Sequence, residues 1–332
     1  VDIKLKPLED QVIVITGASS GIGLTTAQMA AEMGARVVLA ARSRHKLERI
    51  VAQLRALGGA ASCFVADVGD PDEVEAIADL AVDEFGGIDT WVNNASVGIY
   101  GEARDIDMED AHRLFQVNYF GMVHGCLTAI PHLEQRGRGA LINISSAVAD
   151  RSVPLQSHYC AAKHAIKGFT ESLRMELEKE GSPVSLTLVK PGSINTPFTR
   201  HAKNLMGHEA NYPPPVYKPE VVARTILQCA VEPRRDVLVG GGAKMIAMLQ
   251  NMPRIGDRYM ERSLFDQQQK QDRPLDSAAE GVLYRPDPDE GVSRYGNYEG
   301  HVMGSSLYTM ARMTSSLLPL SLFEPGHNHG PN

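Results

Sequence analysis

The chain is short of cysteine, of positive charge and of long apolar runs, and each shortage removes a class of function. Its four cysteines, Cys63, Cys126, Cys160 and Cys229, lie far apart in 332 residues, with neither a CxxC pair nor dense even spacing. That pattern argues against a disulfide-stapled secreted scaffold and predicts a reducing, cytoplasmic setting. A formal charge of −7 and a pI near 5.9 argue against nucleic acid or an anionic membrane surface as partner. No run of about 18 apolar residues occurs, so no membrane span is expected. The opening VDIKLKPLEDQ has no signal-peptide apolar stretch. No metal site is expected either, since His327 and His329 read as a solvated polar tail.

What is present is a 43% hydrophobic, 22% charged chain, enough for one sizeable globular domain with an addition. Short β-branched runs near 12–15, 36–40, 62–66, 90–93, 140–144, 184–189 and 236–239 read as strands. Segments with apolar residues at helical spacing separate them, the longest near 108–134 and 156–179. Seven apolar strands with helical crossovers require an α/β fold, a doubly wound parallel seven-stranded sheet covered on both faces. Ligands gather at the carboxyl ends of such strands. Residues 1–244 form the predicted dinucleotide-binding and catalytic domain, and 245–332 a C-terminal extension. Within the extension, 266–300 is polar and without sustained periodicity, and 305–323 is apolar.

The first strand leads through TGASSGIG (16–23) into a helix, and a glycine-rich strand-to-helix turn lets the backbone and the positive helix end approach a phosphate. A tight turn without a ligand would need glycine too. Farther along, Tyr159 and Lys163 stand four residues apart on a helix and share a face. A nearby ammonium would favour the phenolate and let tyrosine exchange protons near neutral pH. An ordinary amphipathic helix could carry the same pair. Ser145 and Ser146 end the fifth strand, where a hydroxyl could hold a polarised oxygen. Asn118, within an apolar helix, must satisfy a backbone group or hold a water.

Taken together, TGASSGIG, NNAS (93–96), Asn118, ISS (144–146), YCAAK (159–163) and KPGSINT (190–196) resemble, in order and spacing, the short-chain dehydrogenase/reductase family. The resemblance covers about residues 8–244. It implies a Rossmann-like fold and hydride transfer between a nicotinamide cofactor and an alcohol or carbonyl, without metal. By the same resemblance Tyr159 is the acid/base, Ser146 holds the substrate oxygen, and Lys163 binds the nicotinamide ribose and lowers the tyrosine pKa. Asn118 would anchor a water linked to Lys163. Gly17, Ser19, Ser20, Gly21, Ile22 and Gly23 would cradle the pyrophosphate, with Asn94 and Ala95 beside the cofactor and Asp67 and Val68 beside the adenine. Pro191, Gly192, Ile194 and Thr196 would seat the nicotinamide end.

Two features depart from the family pattern. Ser96 stands where NNAG is usual, expected on the adenosine side with a small effect on cofactor fit. The chain also continues for almost ninety residues past the usual end of the core. Cys160, beside Tyr159, reads as packing rather than a redox switch. Cofactor choice follows from the end of the second strand. NAD-preferring relatives usually place an acidic residue where Ala41 stands, whereas Arg42 and Ser43 here would bind a 2′-phosphate, so NADP(H) is expected over NAD(H). The loop after Thr196, with Phe198, Leu205, Met206, Tyr212 and Tyr217, suggests an apolar or bulky alcohol or carbonyl substrate.

Two rival functions remain open. An epimerase or dehydratase on the same fold usually carries TGxxGxxG and would hold a nucleotide sugar. A non-catalytic cofactor-binding protein would use the tail as an interaction arm, and turnover of any carbonyl would dispose of it. The long helices resemble those through which family members pair, so a homo-oligomer is expected. The extension is expected to strap across the core and to reach a partner subunit.

Overall fold

The computed structural model describes residues 3–313. Of the apolar terminus, Leu317, Leu318, Leu320, Leu322 and Phe323 lie outside the described residues, as do His327 and His329. The seven expected strands form one parallel sheet: β1 Val12–Thr16, β2 Arg36–Ala41, β3 Ala61–Val65, β4 Thr90–Asn93, β5 Gly139–Ile144, β6 Val184–Pro191 and β7 Asp236–Val239. Their spatial order is β7-β6-β5-β4-β1-β2-β3. The chain therefore winds outward from β1 in one direction, then returns to β4 and winds in the other. The crevice where the order reverses lies at the carboxyl ends of β1 and β4, which is where the glycine turn opens.

Alternation along β1 explains the two-sided core. Ile13 and Ile15 pack on one face with Leu24, Leu39, Leu47 and Ile226. Val12 and Val14 pack on the other with Trp91, Leu114, Leu141 and Leu173. The covering helices are α1 Gly21–Glu32, α2 Arg44–Ala56, α3 Pro71–Phe85, α4 Met108–Phe115, α5 Gly121–Gln135, α6 Ser157–Glu180 and α7 Pro219–Val231.

The stretch expected as one long helix near 108–134 is interrupted by a π-helical segment, Gln116–Phe120, between α4 and α5. The wider turn has a local cause. It places the Asn118 amide against the backbone of residue 97, where Nδ2 donates to the Val97 carbonyl (2.9 Å) and Oδ1 accepts from the Val97 N–H (2.8 Å).

The extension holds more regular structure than its composition suggests. Helices span Gly241–Leu249 and Pro253–Tyr259, and Leu307–Met313 forms a further one. Strand Gln269–Pro274, inside the segment expected to lack periodicity, pairs antiparallel with His208–Ala210. Val302–Met303 pairs in parallel with Val216–Tyr217. These partners lie far away in sequence, so no local pattern announces them.

A buried ladder of side-chain hydrogen bonds fixes α6 to the sheet. Trp91 Nε1 donates to Asn93 Oδ1 (2.8 Å), Asn93 Nδ2 to Asn143 Oδ1 (2.9 Å), and Asn143 Nδ2 to Thr170 Oγ1 (3.0 Å). Gly125 leaves room for it: a Cβ there would stand 2.0 Å from Asn93 Oδ1 and 2.9 Å from Trp91 Nε1. Gly125→Ala is therefore expected to destabilise the fold by about 1–3 kcal/mol despite the better helix propensity of alanine. Equilibrium urea denaturation checks this, and an unchanged or raised midpoint would refute the assigned close packing.

Candidate active site

The end of β1 is knitted to the end of β4 before any ligand is considered. Thr16 Oγ1 accepts from the Asn94 and Ala95 N–H groups (3.0 and 3.1 Å), while Asn94 Nδ2 donates to the Thr16 and Gly17 carbonyls (2.9 and 3.2 Å). Gly17 and Gly21 have φ of +65° and +52°, values that favour glycine. Gly23 serves differently. A Cβ on it would stand 2.4 Å from the Gly17 carbonyl oxygen, so it lets α1 pack on its own turn. The expectation that all the turn's glycines face a phosphate is corrected at this position.

A cavity of about 280 Å³ begins at this turn and runs to α6. Gly17, Ser19, Ser20, Gly21, Ile22, Arg42, Ser43, Asp67, Val68, Asn94 and Ala95 line one end, and Ser146, Tyr159, Lys163, Pro191, Gly192, Ile194 and Thr196 the other. Gly23 and Asn118 are not in its wall. The Asn118 amide is taken up by Val97 and by Ser96, whose Oγ donates to Oδ1 (3.1 Å), so of the two roles open to this side chain the structure shows satisfaction of a backbone group.

At the α6 end, Ser145 Oγ donates to the Lys163 carbonyl (3.1 Å), and Lys163 Nζ donates to the Ile144 carbonyl (3.1 Å). These bonds hold α6 against the end of β5. Asp150, just beyond Ser146, takes Lys167 (2.8 Å) and Lys190 (2.6 Å) on its two oxygens and pins that loop between α6 and β6. Burial, with Cys160 and Tyr212 nearby, pushes the Tyr159 phenol above its ordinary value, while the neighbouring Ser146 and Ser96 hydroxyls act the other way. Ser96 thus stands beside Tyr159, a correction to its expected place at the adenosine side.

Lys163 is 2% exposed, and burial pushes its ammonium down to about 7. Its Nζ lies 5.4 Å from the centre of the Tyr159 ring. The expected lowering of the phenol by this cation is not what the geometry gives: burial is the largest influence on Tyr159 and the one that moves Lys163. Cys160, 1% exposed, has its thiol pushed up to about 11 by burial, as befits an inert packing residue.

The remaining wall is largely apolar. Phe198 and Tyr212 line it as the loop reading expects, with the Phe198 ring 5.4 Å from that of Tyr159. Leu205, Met206 and Tyr217 do not. Leu205 packs on Gly101, Met206 on the Tyr100 cluster, and the Tyr217 hydroxyl accepts from the Gly241 N–H (2.9 Å). Sequence reasoning missed Tyr100, Val148 and Val153, and from the extension Ile246, Leu264 and Gln268. Gln268 is fixed by donating to the Pro154 carbonyl (2.9 Å) and by accepting from Gln156 (2.5 Å). No periodicity links residues so distant to the cavity. Among the described residues, no group of three or more His, Cys, Asp or Glu side chains could hold a metal, and no helix is long and apolar enough to cross a membrane.

Residues 11–206 match the sequence model of the short chain dehydrogenase family. The chain is 47% identical to the uncharacterized oxidoreductase YxnA of Bacillus subtilis, an alignment that covers 93% of this chain and 87% of that one. It is 34% identical to 3-ketodihydrosphingosine reductase of Bacteroides thetaiotaomicron over 62% of this chain and 72% of that protein. Among solved structures it is similar to an alcohol dehydrogenase from Thermococcus sibiricus complexed with 5-hydroxy-NADP. That match has a TM-score of 0.61 and 25% identity, over 69% of this chain and 95% of that one.

The buried Lys163 ammonium generates a prediction. Its pKa in the folded chain, about 7, lies below the unfolded value, so burial opposes folding fully at pH below about 7. The penalty fades as pH climbs from there toward the ordinary lysine value, because only the unfolded chain keeps the proton. Lys163→Met is expected to melt higher than wild type near pH 6, by about 2–4 °C per kcal/mol regained, with the gain shrinking near pH 9. Paired thermal melts at both pH values check this, and a lower melting temperature at pH 6 would refute it.

Proposed function

The chain belongs to the short-chain dehydrogenase family, and on that premise we propose that it is an NADP(H)-dependent reductase or dehydrogenase acting on a carbonyl or alcohol that carries an apolar group. One observation carries this reading: Tyr159, Lys163 and Ser146 converge on a cavity that continues without a break to the glycine turn and Arg42. The residues suit a dinucleotide. The backbone turns at Gly17 and Gly21, the N-terminal end of α1 faces the cavity, and Lys163 brings to its wall a nitrogen that donates to the Ile144 carbonyl and has further N–H groups to offer a ligand. Gly17, Ser19, Ser20 and Ile22 would hold the pyrophosphate, Asp67 and Val68 the adenine side, and Ile194 and Thr196 the nicotinamide end. When bound, the cofactor supplies or accepts the hydride.

The protein's own part is proton transfer and positioning. Ser146 would donate a hydrogen bond to the substrate oxygen and polarise a carbonyl. In reduction Tyr159 would give its phenolic proton to that oxygen, and in oxidation it would take the proton back. A phenol held high by burial suits the donating role, and Lys163 would hold the ribose hydroxyls and pass protons toward Tyr159. Ser96, shared between Asn118 and Tyr159, would orient the phenol.

Arg42 and Ser43 support NADP(H), because a guanidinium and a hydroxyl stand where a carboxylate would repel a 2′-phosphate. The wall formed by Tyr100, Val148, Val153, Phe198, Ile246 and Leu264 supports an apolar substrate. Exposed Met108, Phe120 and Leu127 on α4, the π segment and α5 support assembly into a homo-oligomer.

Screening carbonyls and alcohols with each nicotinamide cofactor, read at the absorbance of the reduced form, tests the reading as a whole. Tyr159→Phe is expected to lower turnover by about 10²–10⁴-fold with cofactor binding retained, and turnover within tenfold of wild type would overturn the assignment. Wild type is expected to favour NADP(H) in kcat/KM, and Ala41→Asp combined with Arg42→Ile to reverse the preference. Equal wild-type efficiency with both cofactors would refute the role given to Arg42.

A further inference from the structure

The cavity has a roof that does not belong to the family core. Leaving strand Gln269–Pro274, the chain turns at Gly281, whose φ is +58° and whose Cβ would stand 2.3 Å from the His201 carbonyl oxygen. The Val282 N–H then donates to that same carbonyl (2.7 Å). Here the segment crosses to the other side of the cleft. Arg42, at the end of β2, donates to the Val282 and Leu283 carbonyls (2.5 and 3.1 Å), and Arg113 to the Leu283 carbonyl (3.3 Å). Val282, Pro286, Asp287 and Glu290 face the cavity.

Glu290 is the point where the two banks of the cleft are joined. Its carboxylate takes Lys46 of α2 (2.6 Å), on the bank of Arg42 and Ser43, and lies 3.1 Å from Arg200 and 2.7 Å from His201 Nε2, on the bank beyond Thr196. Lys46 is 4% exposed and has its ammonium turned to this carboxylate rather than to water. Despite the cost of burial, His201 and Lys46 hold the Glu290 carboxyl down at about 2, so it stays charged at any working pH. Farther on, the Gly21 N–H at the start of α1 donates to the Ser293 carbonyl (3.0 Å), and Gly296 passes so near that a Cβ would stand 2.3 Å from the Thr196 carbonyl oxygen. The contacts made by Arg42, Lys46, Glu290, His201, Gly21 and Thr196 border the groove, yet the groove beneath stays open from Arg42 to Tyr159.

We propose that residues 281–298 complete the dinucleotide site as a strap closed over the bound cofactor, with Glu290 as the latch that joins its two banks. This rests on the cofactor reading above. The consequence is kinetic. Entry and exit of the cofactor require the strap to lift and the Glu290 contacts to break, so release is slow and limits turnover. Glu290 acts as a positioning residue, through Lys46, Arg200 and His201.

The experiment is stopped-flow displacement of NADPH, and separately of NADH, from the full-length protein, read by nicotinamide fluorescence. Glu290→Gln removes the charge of the latch and leaves its shape. Gly281→Ala, whose Cβ would clash with the His201 carbonyl, lifts the start of the strap without changing its charge. Both are expected to speed release of both cofactors about tenfold or more, as loss of a charge-assisted contact implies. A rate within twofold of wild type in both variants would overturn the strap. So would a Glu290→Gln effect confined to NADPH, which would mean that the carboxylate merely tunes charge near the 2′-phosphate. Hydrogen exchange on wild type needs no variant. Saturating cofactor is expected to slow exchange at Val282, Leu283 and Arg294, and no change there, with cofactor bound, would overturn the proposal. Failure of wild type to bind either cofactor would instead overturn the underlying reading.

Discussion

The architecture of this site depends on a buried polar chain, Trp91 to Asn93 to Asn143 to Thr170, running from β4 through β5 into α6. Apolar packing alone would let α6 slide along the sheet at little cost, since hydrophobic contact is not directional. Hydrogen bonds between amides in a dry interior have one good register and leave costly unpaired groups in any other. That register sets where Tyr159 and Lys163 stand relative to the ends of β5 and β1. Thr16, Asn94 and Asn118 extend the same logic to the loops, each amide or hydroxyl spending its capacity on backbone groups of a neighbouring segment. Precision in the cavity is therefore built by residues that mostly do not face it.

The active end trades stability for chemistry. A lysine held almost fully from water, bonded to a backbone carbonyl, is an expensive thing to fold around. That cost diminishes when a polar ligand enters the groove. The protein's own energetics thus favour occupancy of the site, and the extension adds to this by excluding solvent from above.

Much of this was legible from local pattern, because strands buried on both faces and helices with one apolar stripe leave periodic traces. The seven strands, the turn at Gly17 and the shared face of Tyr159 and Lys163 belong to that class. Ser96 was misplaced because proximity in sequence to the nucleotide loop says nothing about which way a loop residue faces. The effect of Lys163 on the Tyr159 phenol was misjudged because desolvation depends on burial, which a helical wheel does not reveal. The extension was opaque for a further reason: strand Gln269–Pro274 and the crossing at Arg42 rest on partners some sixty to two hundred and forty positions away. Polar composition is compatible with disorder and equally with a segment whose partners are backbone groups of something already folded.

The way the crossing segment is held has a consequence for how its sequence can change. Part of its grip is main chain: carbonyls of Val282, Leu283 and Ser293, and the N–H of Val282, face Arg42, Arg113, Gly21 and His201. Those bonds survive a change of side chain so long as the backbone path does, whereas Leu283 in the core, Tyr284 on Asp110, Glu290 on Lys46, Arg294 on Gln28 and Tyr295 on Glu220 hold by the side chain itself. The information that docks the segment resides in the core, at Arg42 and at the start of α1. A differently spelled arm could lie in the same track, and the same arm would find no track on a core that lacked them.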